Sequence, residues 1–259
     1  MNRKILQLAI PSIVSNITVP LLGLVDVAIV GHLGSASYIG AIAVGGMLFN
    51  MIYWIFGFLR MGTSGMTAQA YGKRDLTEVV RTLLRAVGVG LLISLGLWIL
   101  QSPILRGAFV LIDATEEVKR WASLYFNICI WGAPAILGLY GFAGWFIGMQ
   151  NSRFPMYIAI TQNIVNIAAS LCFVYLFHMK VAGVAWGTLT AQYAGFLMAL
   201  LLWRRYYGGL KKHVAWHEVL KKEAMLRFFQ VNRDIFLRTL CLVIVTLFFT
   251  SAGAAQGEI

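Results

Sequence analysis

Long apolar runs without charge dominate this chain. Residues 38–59, 121–152, 154–177, 181–203 and 239–257 each contain no Asp, Glu, Lys or Arg. A helix needs about 20 mostly apolar residues to cross the hydrocarbon core of a bilayer, so each run is long enough, or nearly so, for one crossing. Residues 5–25 and 86–105 add two more, which makes seven predicted spanning helices. Brief polar connections at 32–37, 151–155 and 178–180 separate several of them. Short loops make neighbours antiparallel, so the pattern predicts one six-helix bundle followed by a seventh helix.

The stretch 204–234 breaks this pattern. Trp216, Val219, Leu220 and Leu226 fit an apolar helical stripe opposite basic residues, as expected of an amphipathic helix on a membrane surface. The expected organisation is a six-helix transmembrane lobe over 1–203, a basic cytoplasmic linker over 204–234 and the first helix of a second lobe over 235–259. A weak repeat supports this. Asn2, Arg3 and Ile5 open the first helix, and Asn232, Arg233 and Ile235 stand at the expected start of the seventh. Membrane transporters are often built from repeated halves. The sequence therefore reads as one half with the second just begun, and its ending reads as a connection cut short. Residues 5–31 form one apolar segment containing Pro11 and Pro20, with no short core before a small-residue cleavage site, so the first helix is expected to be retained.

Composition agrees with this picture. The chain is 59% hydrophobic and 12% charged, with a mean hydropathy of +0.77. Soluble domains carry about a quarter charged residues, so the expected class is an all-α polytopic membrane protein whose main partner is the lipid bilayer. The net charge of +11 invites a nucleic-acid reading, but its distribution argues against one. Of the 21 Lys and Arg, 16 fall at the N-terminus, around the second-to-third connection, at Arg153 and between 204 and 238. Arg106, Lys119, Arg120 and Lys180 hold the alternate connections. That is the positive-inside bias, with the N-terminus cytoplasmic. Cys129, Cys172 and Cys241 lie singly in separate apolar helices and read as buried small hydrophobes, not as a disulfide or metal set.

Ten acidic residues are present, and only Asp26 is embedded in a spanning segment. A charge at membrane depth costs upward of about 2.5 kcal/mol, so such residues usually face an interior path and serve function. Burial disfavours the ionised carboxyl, which suits reversible protonation. Ser12, Ser15, Val19 and Gly23 share its helix face, and Pro20 cannot donate to the carbonyl of Asn16, so a kink is expected there. On the fifth helix Gln162, Asn166 and Ser170 are spaced by four and form a polar stripe, with Asn163 beside it. Thr188 and Gln192 repeat that spacing on the sixth. Each residue alone reads as interhelical hydrogen-bond glue; two stripes together with an acid point to a polar cavity.

Arg60 precedes Gly62, Thr63, Ser64, Gly65 and Thr67, where a helix is expected to bend or unwind. It either pairs with an interior acid or snorkels to an interface. No GxxxxGK[ST] phosphate loop occurs, which argues against ATP as the energy source. His213 and His217, followed by Glu218, have the order HxxxHE on a surface helix; an incidental pair is the better reading, and no metal site is expected. Tyr53, Trp54 and Tyr140 are candidates to stack on an organic substrate. No nucleophile–base pair supports an enzyme.

Three segments carry a resemblance. PLLGLVDVAIVGHLG at 20–34, FLRMGTSGMTAQAYG at 58–72 and NIVNI at 163–167 resemble multidrug and toxin extrusion (MATE) transporters, in the branch named for DNA-damage-inducible protein F. The resemblance implies a twelve-helix secondary antiporter in two lobes, exporting organic cations or amphipathic drugs from the cell in exchange for H⁺ or Na⁺ and using no cofactor. It implies that this chain is one lobe plus a seventh helix, with the C-terminal lobe as its missing partner. Asp26 then falls on the ion-coupling aspartate, Asn166 on an asparagine of the same cavity and Thr188 on a threonine that helps ligate the ion. Many members carry a further aspartate where Ser170 stands, which favours H⁺ here. A lipid-linked precursor flippase of the same superfamily architecture is the alternative; its cavity would be strongly basic. A seven-helix pigment would need a lysine in 239–257, and none is there.

Overall fold

A computed structural model describes Ile10, Pro11, Ile13 and Ile17 and residues 23–112, 114–213 and 219–256. Pro20, Ser12, Ser15 and Val19 lie outside the described residues, and so does the expected kink. The chain is an all-α polytopic membrane protein. Helix α1 is described over 23–31. It is followed by α2 (Ala36–Ile55), α3 (Phe58–Gly72), α4 (Leu76–Ile99) and α5 (Gln101–Leu111). Then come α6 (Glu116–Cys129), α7 (Ala133–Gly148), α8 (Arg153–Leu171), α9 (Lys180–Tyr207) and α10 (Lys222–Gln256). Among the described residues five segments are long and apolar enough to span: Ala36–Gly72, Leu76–Ile99, Glu116–Gly148, Arg153–Leu176 and Lys180–Lys212.

Several spans are broken, each for a local reason. The second crossing divides into α2 and α3 at Phe56 and Gly57, where the Gly57 amide turns back to the Trp54 carbonyl at 3.0 Å. The break thus precedes Arg60, and the helix is intact through Gly62 and Gly65, where bending was expected. In the fourth crossing a 3-10 turn, Ile130–Gly132, separates α6 from α7, and Pro134 stands in the first turn of α7. Proline lacks an amide hydrogen and is tolerated at a helix start, so the chain restarts its helix there. The third crossing begins earlier than its apolar run. Asp75 caps α4 by accepting from the Glu78 amide at 2.9 Å, which admits Glu78, Arg81 and Arg85 to the helix. The fifth crossing ends in a π turn, Cys172–Leu176.

Helix α7 lies at the centre. Trp145, Phe146 and Phe142 bury against Val79 and Leu83 of α4 and against Phe154 and Ile158 of α8. The Trp145 indole donates to the Val79 carbonyl at 2.8 Å. A second core joins Val30 of α1, Phe49 of α2, Phe126 and Ile130 of the fourth crossing and Val184 of α9. Large side chains such as Leu92, Leu95 and Ile99 face outward, as lipid contact requires. Cys129 is buried, but Cys172 and Cys241 are exposed; a small apolar side chain is as well placed against lipid as inside the bundle.

Helix α10 differs most from expectation. It starts at Lys222 and runs through to Gln256, so no break separates the expected linker from the seventh helix at 234/235. Its early turns are amphipathic: Phe228 and Asn232 are buried while Arg227 and Arg233 are exposed.

Helices here approach more closely than side chains would allow. A Cβ on Gly144 of α7 would fall 2.3 Å from the Arg60 carbonyl oxygen of α3. Gly144→Ala must push these backbones apart, at a cost of about 1–3 kcal/mol. It is expected to lower the thermal unfolding temperature of detergent-solubilised protein. Gly65→Ala, whose Cβ enters open space, is expected to lower it not at all.

Candidate functional site

The site is built on α1, α8 and α9. Asp26 is 3% exposed, so its carboxylate has lost nearly all contact with solvent. Thr188 of α9 donates its hydroxyl to Asp26 Oδ2 at 3.1 Å. The same hydroxyl oxygen accepts from Asn166 Nδ2 of α8 at 3.1 Å. A threonine hydroxyl has one proton and spare lone pairs, so it passes polarisation from amide to carboxylate and ties three helices in one chain. Hydrogen bonds to a carboxylate are roughly twice as strong as neutral ones.

This chain is incompletely satisfied. Asp26 Oδ1, Asn166 Oδ1 and Ser170 Oγ are all buried without a partner among the described residues. Ser170 occupies room that Gly187 leaves: a Cβ on Gly187 would fall 2.1 Å from Ser170 Oγ. Asp26 Oδ1 and Asn166 Oδ1 flank the Thr188 bridge and keep the capacity to accept a further donor.

On its other side Asp26 borders a cavity of about 650 Å³ between α1, α2 and Tyr125 of α6. Met47, Met51 and Trp54 give the cavity an apolar wall, and Asn50 adds an amide. Pockets of this size and lining suit a small organic molecule, and methionines adapt to irregular shapes.

The structure joins Asp26, Asn166 and Thr188 through hydrogen bonds, with Ser170 one turn from Asn166 and against Gly187, but not the rest of the stripes. Gln162 packs across Gly195 of α9, and Gln192 lies against Gly132. Both serve helix contacts. Asn163 Nδ2 bonds back to the Ala159 carbonyl of its own helix at 3.1 Å. Arg60 is exposed on α3, outside the cavity lining. Of the aromatic candidates Trp54 lines the cavity, whereas Tyr53 stacks on Phe49 at 5.6 Å and Tyr140 packs beside the Leu59–Phe228 core. Asn50 and Tyr125 were not anticipated. Asn50 carried a signal as the lone amide of the 38–59 run; Tyr125 carried none. Among the described residues no group of three or more His, Cys, Asp or Glu forms a metal site.

Comparison with known proteins gives one consistent result. The MatE family model matches residues 11–172. The DNA damage-inducible protein F of Escherichia coli strain K12 is 38% identical over 99% of this chain and 56% of its own length. A MOP superfamily transporter from Pyrococcus furiosus superposes with a TM-score of 0.78 at 22% identity, covering 96% of this chain and 55% of that one. A MATE transporter of Vibrio cholerae in its bent form gives 0.78 at 19% identity, covering 98% and 57%. At such identities these two show the shared fold. The chain spans about half the length of the relatives it matches.

The threonine link can be tested directly. Thr188→Val removes the bridging hydroxyl at nearly constant volume and leaves buried polar groups unpaired, a loss of about 1–3 kcal/mol. A lower unfolding temperature in detergent is expected for Thr188→Val, with recovery towards the parent value in Thr188→Ser.

Proposed function

The chain belongs to the MatE family, and from that premise we propose that it forms the first lobe of an H⁺-coupled antiporter exporting organic cations or amphipathic compounds by alternating access. The observation that carries this reading is Asp26: a buried carboxylate held by side chains from two further helices, on the wall of an organic-sized cavity. In this reading the protein sits in the cell membrane with its N-terminus cytoplasmic, the C-terminal lobe completes the path, and no cofactor takes part.

The coupling follows from the hydrogen bonds. Ionised Asp26 accepts the Thr188 proton strongly and draws α1 towards α9. Protonated Asp26 is neutral and accepts more weakly, which loosens that tie. The two packings of α1 therefore differ in proton affinity, and that difference is what a proton gradient needs to bias the cycle. Ser170 in place of a second carboxylate favours H⁺. Asp26 Oδ1, Asn166 Oδ1 and Ser170 Oγ offer oxygen atoms but only one formal charge, so Na⁺ is the second candidate. A flippase for lipid-linked phosphates would need a basic cavity. Neither Lys nor Arg is among the described residues that line this one, which favours the antiporter reading.

In the full-length protein Asp26→Asn is expected to insert normally and to lose uphill efflux, measured as drug accumulation in cells. Normal efflux by this variant would overturn the mechanism. Reconstituted in liposomes, the parent is expected to transport on a pH gradient alone; transport driven only by a Na⁺ gradient would overturn the choice of ion.

A further inference from the structure

The join between the basic linker and α10 carries more structure than a connection requires. Arg85, in the middle of α4, is 2% exposed. Its Nε donates to the Val219 carbonyl at 2.8 Å, across 134 positions of sequence. Its Nη1 pairs with Glu78, one third exposed at the rim. A buried guanidinium is costly to desolvate, so it is stable only where carbonyl and carboxylate partners are held in place. Arg85 thus fixes the chain just before α10 begins.

Helix α10 then packs along the first lobe for several turns. Phe228 is fully buried, in a core with Leu59 of α3 and with Ala86 and Val89 of α4. One turn on, Asn232 is 2% exposed and fills the space that Gly62 of α3 leaves. Another turn on, Phe236 meets Phe58 edge to face at 5.8 Å. Beyond it the apolar side chains turn outward: Leu237, Leu240, Leu242 and Val245 are all exposed.

We infer that residues 222–236 of α10 move as part of the first lobe, with Arg85 and Asn232 as positioning residues. The inference rests on the reading of this chain as a first lobe that works by alternating access. A buried phenylalanine, an interlocked asparagine and a buried guanidinium held to the Val219 carbonyl cannot separate and re-form cheaply in each cycle. The boundary between moving parts is therefore not in the loop before α10.

Cross-linking in the full-length transporter, with its other cysteines replaced, tests this. A Cβ at Gly62 would lie 2.9 Å from Asn232 Cγ, so Gly62→Cys with Asn232→Cys places the two sulfurs within reach. The expected result is a disulfide that forms on oxidation and leaves transport at the rate of the reduced form. Transport lost on oxidation and regained with a reductant would overturn the inference. Failure of the antiporter reading itself is distinct: the cysteine-free parent would then not transport at all. Spin labels on Tyr71→Cys and Arg233→Cys, both exposed, avoid the packed contact altogether. One narrow distance, unchanged between acid and alkaline vesicles, is expected; two distances exchanging with pH would overturn it. Arg85→Met is expected to broaden that distance while a label pair within α4 and α9 stays sharp. An unbroadened distance would remove Arg85 from the role.

Discussion

A carboxylate withdrawn from water must be compensated, and around Asp26 that requirement organises three helices at once. Thr188 reaches it from α9, and Thr188 is in turn oriented by Asn166 from α8. One hydroxyl proton thus links α1 to α8 and α9 together. Apolar packing of Val30 and Ile29 holds the same helix, but dispersion is indifferent to protonation. The polar contact is what distinguishes charged from neutral Asp26, and in the proposed function it is the element that an ion gradient would act on.

The close approach of helices makes this arrangement possible. In a bilayer, association relies on packing and interhelical hydrogen bonds, because lipid chains are as apolar as leucine. Gly144 lets α7 touch the backbone of α3, and Gly187 lets Ser170 sit against α9. These contacts bring α7 onto α3 and α8 onto α9 at backbone distance.

Much of this was legible in the sequence, for identifiable reasons. Charge-free runs mark spans because lipid tolerates little else, and an acid within one stands out against them. Asn166, Ser170 and Thr188 were legible through their spacing. Gln162 and Gln192 share that spacing yet serve a different purpose. Periodicity says which residues share a face, but not which helix that face meets; here Gly195 and Gly132 decide it. The start of α10 was hidden because its charged residues resemble a surface linker, while the residues that bury it, Phe228 and Asn232, recur only once per turn. Tyr125 gave no signal, since one more aromatic in an aromatic-rich membrane chain carries no information.

The interruption at Phe56 and Gly57 gives the second crossing two independent loyalties. Its first piece, α2, forms the wall facing Asp26, while its second piece, α3, clasps α7 and the start of α10. An unbroken rod would transmit every displacement of that wall straight into the clasp. Cut at this point, the crossing can bend where its helical hydrogen bonds are already interrupted, so the cavity wall and the α3–α7 contact belong to separate helices.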